Sequence, residues 1–533
     1  MNKPFTIKIE SILGGQSPTT HFSSSGQFRA SLGIDPAQPT DDLDSATSTI
    51  ASGLLRPSAS EKFSGTTIGS APLWIKTNPK DSNVYVYDSL GSAYTVNATL
   101  STVTALSDTG ALTNSIGNGL EYHDNYMLFA KNTTVARYGP LNGTPSFNED
   151  YWVTTLGKTA LVNTTYPTTF LNGLQLPNHV LHRHSDGVTY FADVVGNNGT
   201  IHKISTTKTT VEGDTDSTSV PSAYNALDLG YGLWPTSIES YGSDISIALF
   251  EGSNTGLRQK HAKIAFWDTT SASPNKITWV EFPDSLITAQ KNVNGILYVV
   301  SGNYQARGFR VTRFMGGYSF EEVYYSETGE PCLQGAIDGV LNRVVFGSHT
   351  TVPESDGCVY ASGLQKDVLG SGMFNIMRAT GGDASTNVTA VSFADATENG
   401  FYVPIIGWTK GSGTSNNGLD KQGTTYSNAP SVFWSEMFRI GEKFKIKKIR
   451  IPFAQNIATN MTLIPKLYID DGKTTATLTT INSTNYPNSE GYVFFKPESL
   501  SGNNNFWLEL RWTGSAILTV NLPIIIEGET FDD

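Results

Sequence analysis

The middle of the chain repeats one hydrophobic phrase. A turn residue introduces an apolar run of four to six residues, and polar residues and often a second strand-like run follow. The phrase reads "NVYVYD" from Asn83, "NYMLFA" from Asn125, "GVTYFADV" from Gly187 and "DISIALF" from Asp244. It continues with "GILYVV" from Gly295, "NRVVF" from Asn342 and "NGFYVPII" from Asn399. Successive starts lie about 42, 62, 57, 51, 47 and 57 residues apart, close to the period of four-stranded propeller blades. The partner runs "TVARYGP", "TIHKIS" and "FRVTRF" make hairpins whose turns hold Gly or Asn, where positive φ costs little. Long apolar stretches of helical period are absent. The pattern predicts an all-β protein with a β-propeller of about seven blades over residues 65–410. A large sandwich or a stack of small β-domains is the other way to arrange the same strands.

The flanks have a different texture. Residues 411–430 have the Gly, Ser and Asn composition of a linker. From 431 to 533 about seven closely spaced runs predict a β-sandwich of jelly-roll or immunoglobulin-like type. In "NFWLELRW", Phe506, Leu508, Leu510 and Trp512 alternate inward, which leaves Trp507, Glu509 and Arg511 outward. Trp507 is thereby a rim or interface candidate, or a ring for a sugar to stack on. Between Lys443 and Phe453 the apolar parity shifts at Lys447-Lys448, which predicts a β-bulge. Lys443, Lys445, Lys447, Lys448 and Arg450 then line the exposed side, either as a solvated, aggregation-resistant face or as a dock for an acidic neighbour. Residues 1–64 begin with an alternating strand, "FTIKI", suited to a sheet edge. An extended arm follows, with apolar anchors at Phe22, Phe28, Leu32, Ile34, Leu54 and Leu55.

Charge and chemistry narrow the function. Charged residues are only 16% of the chain and the net charge is −12. Residues 430–533 hold 10 Lys/Arg against 11 Asp/Glu, so the first 429 residues carry −11. Such a surface disfavours tight nucleic-acid binding, though it suits a wall past which a polyanion slides. Cys332 and Cys358 have no zinc spacing and are expected as two buried free thiols, with a disulfide between them as the alternative. No run of 18 apolar residues is present, so no membrane span is expected, and the N-terminus lacks the apolar run of a signal peptide. His182 and His184 share one side of a strand near His179, but no third ligand is evident, and blade-edge histidines are expected. The acidic groups at Asp41–Asp44 and Glu212–Asp216 lack a calcium-loop pattern. No nucleophile elbow, P-loop or dinucleotide fingerprint occurs. The expectation is no enzyme activity, no metal and no cofactor.

The leader with "GGQSP", "GQF" and "GIDP", the propeller-like middle and a C-terminal β-domain containing "NNFWLELRWTG" together resemble structural proteins of tailed bacteriophages. More narrowly they resemble propeller-bearing nozzle or tail-tip proteins. The resemblance covers the whole chain in layout and carries no catalytic residues. It implies a virion protein assembled in the host cytoplasm, a homo-oligomeric ring and contact with other tail proteins. It also implies passing contact with genomic DNA. The alternative is a carbohydrate-binding or carbohydrate-active propeller that recognises host glycans.

Overall fold

The computed structural model describes residues 2–12, 15–16, 27–35, 55, 57–106, 112, 117–166, 175–205, 223–251, 261–271, 277–303, 306–317, 319–327, 329–348, 358–362, 373–381, 386–397, 401–410, 416–423, 431–454, 456–486, 491–497, 500–514, 516 and 518–531. The chain divides into two compact units. One is Lys62–Gly357 with Asp383–Lys421; the other is Met1–Glu61, Cys358–Gly382 and Gln422–Asp533.

The repeated phrase of the sequence is the second strand of each sheet in the first unit. Val84–Asp88, Tyr126–Ala130, Thr189–Val195, Asp244–Glu251 and Ile296–Gly302 each pair antiparallel with the strand before them. Arg343–Gly347 and Phe401–Thr409 do the same. Two-residue turns with positive φ at both positions join several pairs, among them Asp124-Asn125, Gly196-Asn197 and Asn294-Gly295, because that handedness matches the strand twist. Five sheets lie wholly in this unit, one of five strands and four of four, each sheet meandering outward from its first strand.

The second strands do not alternate between apolar and polar because both faces are covered. Val84–Asp88 and Tyr126–Ala130 are buried at every position, since each sheet is sandwiched between two others. Leu120, Phe129 and Tyr87 pack between the first and second sheets, and Trp152, Phe191 and Leu128 between the second and third. Further layers follow around Ile247 and Trp267 and around Ile264 and Val299. Ile405 and Ala390 finally pack against Val86 and Val96 of the first sheet. The layers therefore close on themselves, which is consistent with a β-propeller.

In the second unit, Lys3–Ile9 is an edge strand, as its alternation predicts. It pairs antiparallel with Ile524–Phe531, which in turn pairs with Lys443–Pro452 and that with Tyr492–Phe495. The register of Lys443–Pro452 slips between Ile446 and Lys448, so the bulge falls where the sequence parity shifts. A second sheet runs Thr474–Thr477, Leu463–Ile469, Asn505–Trp512, Ser431–Trp434 and Ala30–Leu32. Phe444 of one sheet and Phe506 of the other bring their ring centroids to 5.4 Å. The "DDGK" turn is a hairpin, with Asp470, Asp471 and Gly472 all at positive φ.

Three expectations need correction. The 411–430 linker contains a strand, Asn417–Gly423, which is buried along most of its length and pairs with Phe401–Thr409. The arm is not free of regular structure, because Ala30–Leu32 pairs with Ser431–Trp434. Both faces of Asn505–Trp512 are covered, so Trp507 is 6% exposed and Glu509 fully buried.

Candidate functional site

Each first strand of the first unit lies against the next. The order is Pro72–Thr77, Gly119–His123, Leu181–Arg183, Leu233–Tyr241, Leu286–Val293, Ile337–Val340 and Asn387–Thr397, and the last returns to the first. Lys76, Glu121, His182, Glu239, Lys291 and Asp338 stand one per strand on six of these seven strands, and close pairs between neighbours link them into a belt. Lys76 Nζ lies 3.0 Å from Glu121 Oε2. Lys291 Nζ lies 3.0 Å from Asp338 Oδ1 and 3.9 Å from Glu239 Oε2. The amide of Phe393, on the seventh strand, donates to Asp338 Oδ2 at 3.2 Å. A cavity inside the belt is lined by residues of six of the seven strands, and its space for water centres is about 20 Å³, enough for a water or two.

Burial and charge act against each other in the belt. Burial alone would pull Lys291 down, but Asp338 and Glu239 more than offset it, and the ammonium is held above its ordinary value. Burial would raise Asp338, yet Lys291 and Lys76 bring it below the usual carboxylate range. For Glu239 burial wins over the same two lysines, and its carboxyl is raised. Burial pushes His182 down to about 3, so its ring is neutral at ordinary pH.

The signs yield a test. Ionised Asp338 contributes stability above the unfolded carboxylate range, and that contribution disappears as pH falls through its lowered native value. Glu239 works in the opposite sense: its contribution is present at low pH and is lost as pH rises through its raised native value. Asp338→Asn should therefore destabilise at pH 7 and flatten the acid limb of a urea-midpoint profile. Glu239→Gln should be tolerated at pH 7 and steepen the profile's acid fall. Superimposable profiles for the two variants would refute this assignment of roles.

His182 lies on Leu181–Arg183, the end strand of its sheet, and His184 follows directly after it. His182 Nε2 lies 2.7 Å from Ser240 Oγ and His184 Nδ1 lies 2.9 Å from the same oxygen, while His184 Nε2 faces the Ser243 carbonyl at 3.2 Å. The carbonyl can only accept, so His184 donates through Nε2 and accepts from Ser240, and Ser240 accepts from His182. His179 and His202 are fully buried around Asp193, with His202 Nε2 donating to Asp193 Oδ2 at 3.0 Å. Among the described residues no three His, Cys, Asp or Glu could hold a metal ion. Cys332 is a buried free thiol whose pKa burial raises.

The structure scatters the residues expected as interface candidates. Phe22 lies outside the described residues, as do the acidic groups 41–44 and 212–216. Phe28 and Ile34 are each 1% exposed within their own chain. Phe28 packs on Phe374 and Phe433 at 5.6 and 5.4 Å, and Ile34 bridges to Pro57, so neither is open to another chain in this structure. Trp507 stacks on Tyr468 at 5.1 Å, and Arg29 lies 4.3 Å over its ring, which leaves no face for a sugar. The cations of the basic strand lie together on Lys443–Pro452. Lys443 and Lys447 are exposed and Lys445, Lys448 and Arg450 half-buried, with Lys447 bonded to Glu529 and Lys448 3.9 Å from Glu527. Sequence reasoning missed the belt. Its local trace is its own six members, each a charged residue or histidine on the strand before one of the seven repeated phrases.

No protein-family model matches the chain, nor does any curated protein sequence. Among solved structures, the chain is similar to the computationally designed Ika8 protein, with 12% identity, 68% of this chain and 99% of that one covered, and a TM-score of 0.34. It is also similar to the Neurospora crassa Pan2 WD40 domain, with 10% identity over 68% and 95% of the two chains and a TM-score of 0.40. The Myceliophteria thermophila Cps50 (Swd1) β-propeller domain shares 11% identity over 67% and 98%, with a TM-score of 0.39. Likenesses this distant carry no argument about what the chain does, and the propeller reading rests on the strand order and the closed ring of layers.

Proposed function

We propose that the chain is a non-enzymatic structural component of a tailed-phage virion, a nozzle, tail-tip or adjacent ring protein. It would be built on a seven-bladed β-propeller and a C-terminal β-sandwich and would assemble into a homo-oligomeric ring with other tail proteins. The observation that carries the reading is the belt. Its charges are spent on one another, Lys76 on Glu121 and Lys291 on Asp338 and Glu239. Lysines and carboxylates paired across neighbouring strands tie those strands into a scaffold. The −12 net charge suits a ring whose lumen, formed between copies, passes DNA without retaining it.

Negative-stain electron microscopy of the purified full chain tests the reading. Symmetric rings are expected. A strict monomer at micromolar concentration that is retained on a glycan array would overturn it in favour of the carbohydrate-binding alternative.

A further inference from the structure

The sheet containing the basic strand buries one face and leaves the other in solvent. On the buried side lie Phe444, Ile446, Ile449 and Ile451. On the solvent side, the strand Tyr492–Phe495 presents Tyr492 at 42% and Phe494 at 39% exposure. Their ring centroids are 4.8 Å apart. The cations of the neighbouring strand stand over these rings. Lys448 Nζ is 4.3 Å from the centre of Phe494, and the guanidinium of Arg450 is 4.6 Å from that of Tyr492. Among the described residues Arg450 has no carboxylate partner, and its Nε, shielded from solvent, makes no hydrogen bond. Tyr492–Phe495 also ends its sheet, pairing on one side only with Lys443–Pro452 among the described residues.

An edge that only needs protection from aggregation is served by lysines alone. Two large aromatic rings at such an edge raise its tendency to associate. The charge of the face indicates what it meets. On Lys443–Pro452, Lys445, Lys447, Lys448 and Arg450 stand beside Glu527 and Glu529 of the adjoining strand, so cations outnumber carboxylates there. The first 429 residues of the same chain carry −11. Positive potential and exposed rings on one unit thus complement the acidic bulk of another copy.

We propose that the face formed by Tyr492, Phe494, Lys448 and Arg450 docks on an acidic surface of a second copy of this chain. The inference rests on the ring-forming reading above and names the surface that makes the contact. The cation–π contacts hold Lys448 and Arg450 in place before binding, so carboxylates of the partner meet preoriented donors, and the rings exclude water from the centre of the contact.

Analytical ultracentrifugation of the full chain tests this, using wild type, Lys448→Glu/Arg450→Glu and Tyr492→Ala/Phe494→Ala, each at low and high sodium chloride. Circular dichroism and thermal midpoints establish that the variants are folded; all four side chains are partly exposed, so the two pairs fail to fold together only if the sheet itself is lost. The charge reversal is expected to weaken assembly at least 100-fold and the aromatic truncation at least 10-fold. Wild-type assembly is expected to weaken as salt rises. If wild type forms rings and both folded variants form them with unchanged affinity, this face is not the contact, while the ring reading stands. A wild type that stays monomeric overturns both. Retention of that monomer on an acidic polysaccharide or single-stranded DNA column, lost in Lys448→Glu/Arg450→Glu, would assign the face to a polyanion instead.

Discussion

Glu509→Ala will destabilise the C-terminal sheets by about 3–5 kcal/mol, the range for removing one member of a buried ionic cluster. Glu509 is fully buried in the middle of Asn505–Trp512. Its carboxylate accepts from the Tyr468 hydroxyl at 2.7 Å and from the Trp434 indole at 3.0 Å. It also meets Arg511 Nε at 3.0 Å and Lys466 Nζ at 3.8 Å. The two cations are partly exposed and can turn to water, but the indole and phenol donors would be left without their acceptor. Glu509→Gln keeps an acceptor of the same shape and should lose less than half as much. Urea unfolding followed by tryptophan fluorescence measures both. An alanine variant within about 0.5 kcal/mol of wild type, the range for an ordinary surface substitution, would mean that the cluster contributes nothing.

Lys291→Met is the corresponding change in the propeller, with an expected cost of about 3–5 kcal/mol at pH 7. It leaves Asp338 and Glu239 facing one another across the cavity with only Lys76 nearby, and like charges raise carboxyl pKa values. A raised native pKa means that stability is lost as pH rises through it. The deficit should therefore be smaller at pH 5 than at pH 7, and Lys291→Met/Asp338→Asn should recover part of it. A double-mutant cycle at the two pH values reads the coupling directly. An equal deficit at pH 5 and pH 7 would show that packing, not charge, is what Lys291 supplies.

Several elements could be read along the chain because their cause is local. The second strands of the sheets are predominantly apolar and bounded by Asn, Asp and Gly, and burial on both faces favours that composition. The slip at Lys447 shows in parity alone, since inserting one residue moves every later side chain to the other face. From Phe5 to Ile9 the strand Lys3–Ile9 alternates because its sheet buries one face only.

Other features have no local cause. Glu121, Glu239, Lys291 and Asp338 sit in strands of four to nine residues where each reads as a solvated polar position. They become an ionic belt only when residues 72–397 close into a ring. "NGLDKQG" at Asn417–Gly423 has a linker's composition, yet it is a strand because Phe401–Thr409 offers a free edge beside it. Trp507 and Glu509 alternate as if exposed, and their outward face is covered by Arg29 and Trp434, which lie far away in sequence. For the same reason the segment around Phe28 looks like a free arm until Ala30–Leu32 meets Ser431–Trp434, about 400 residues later. Hydrophobic period and turn chemistry act within a few residues, so the chain alone specified an all-β protein, its strands and its bulge. Which polar groups lose water depends on surfaces that folding brings from elsewhere, and so the belt, the buried carboxylate and the cation-bearing aromatic face were decided by the tertiary structure.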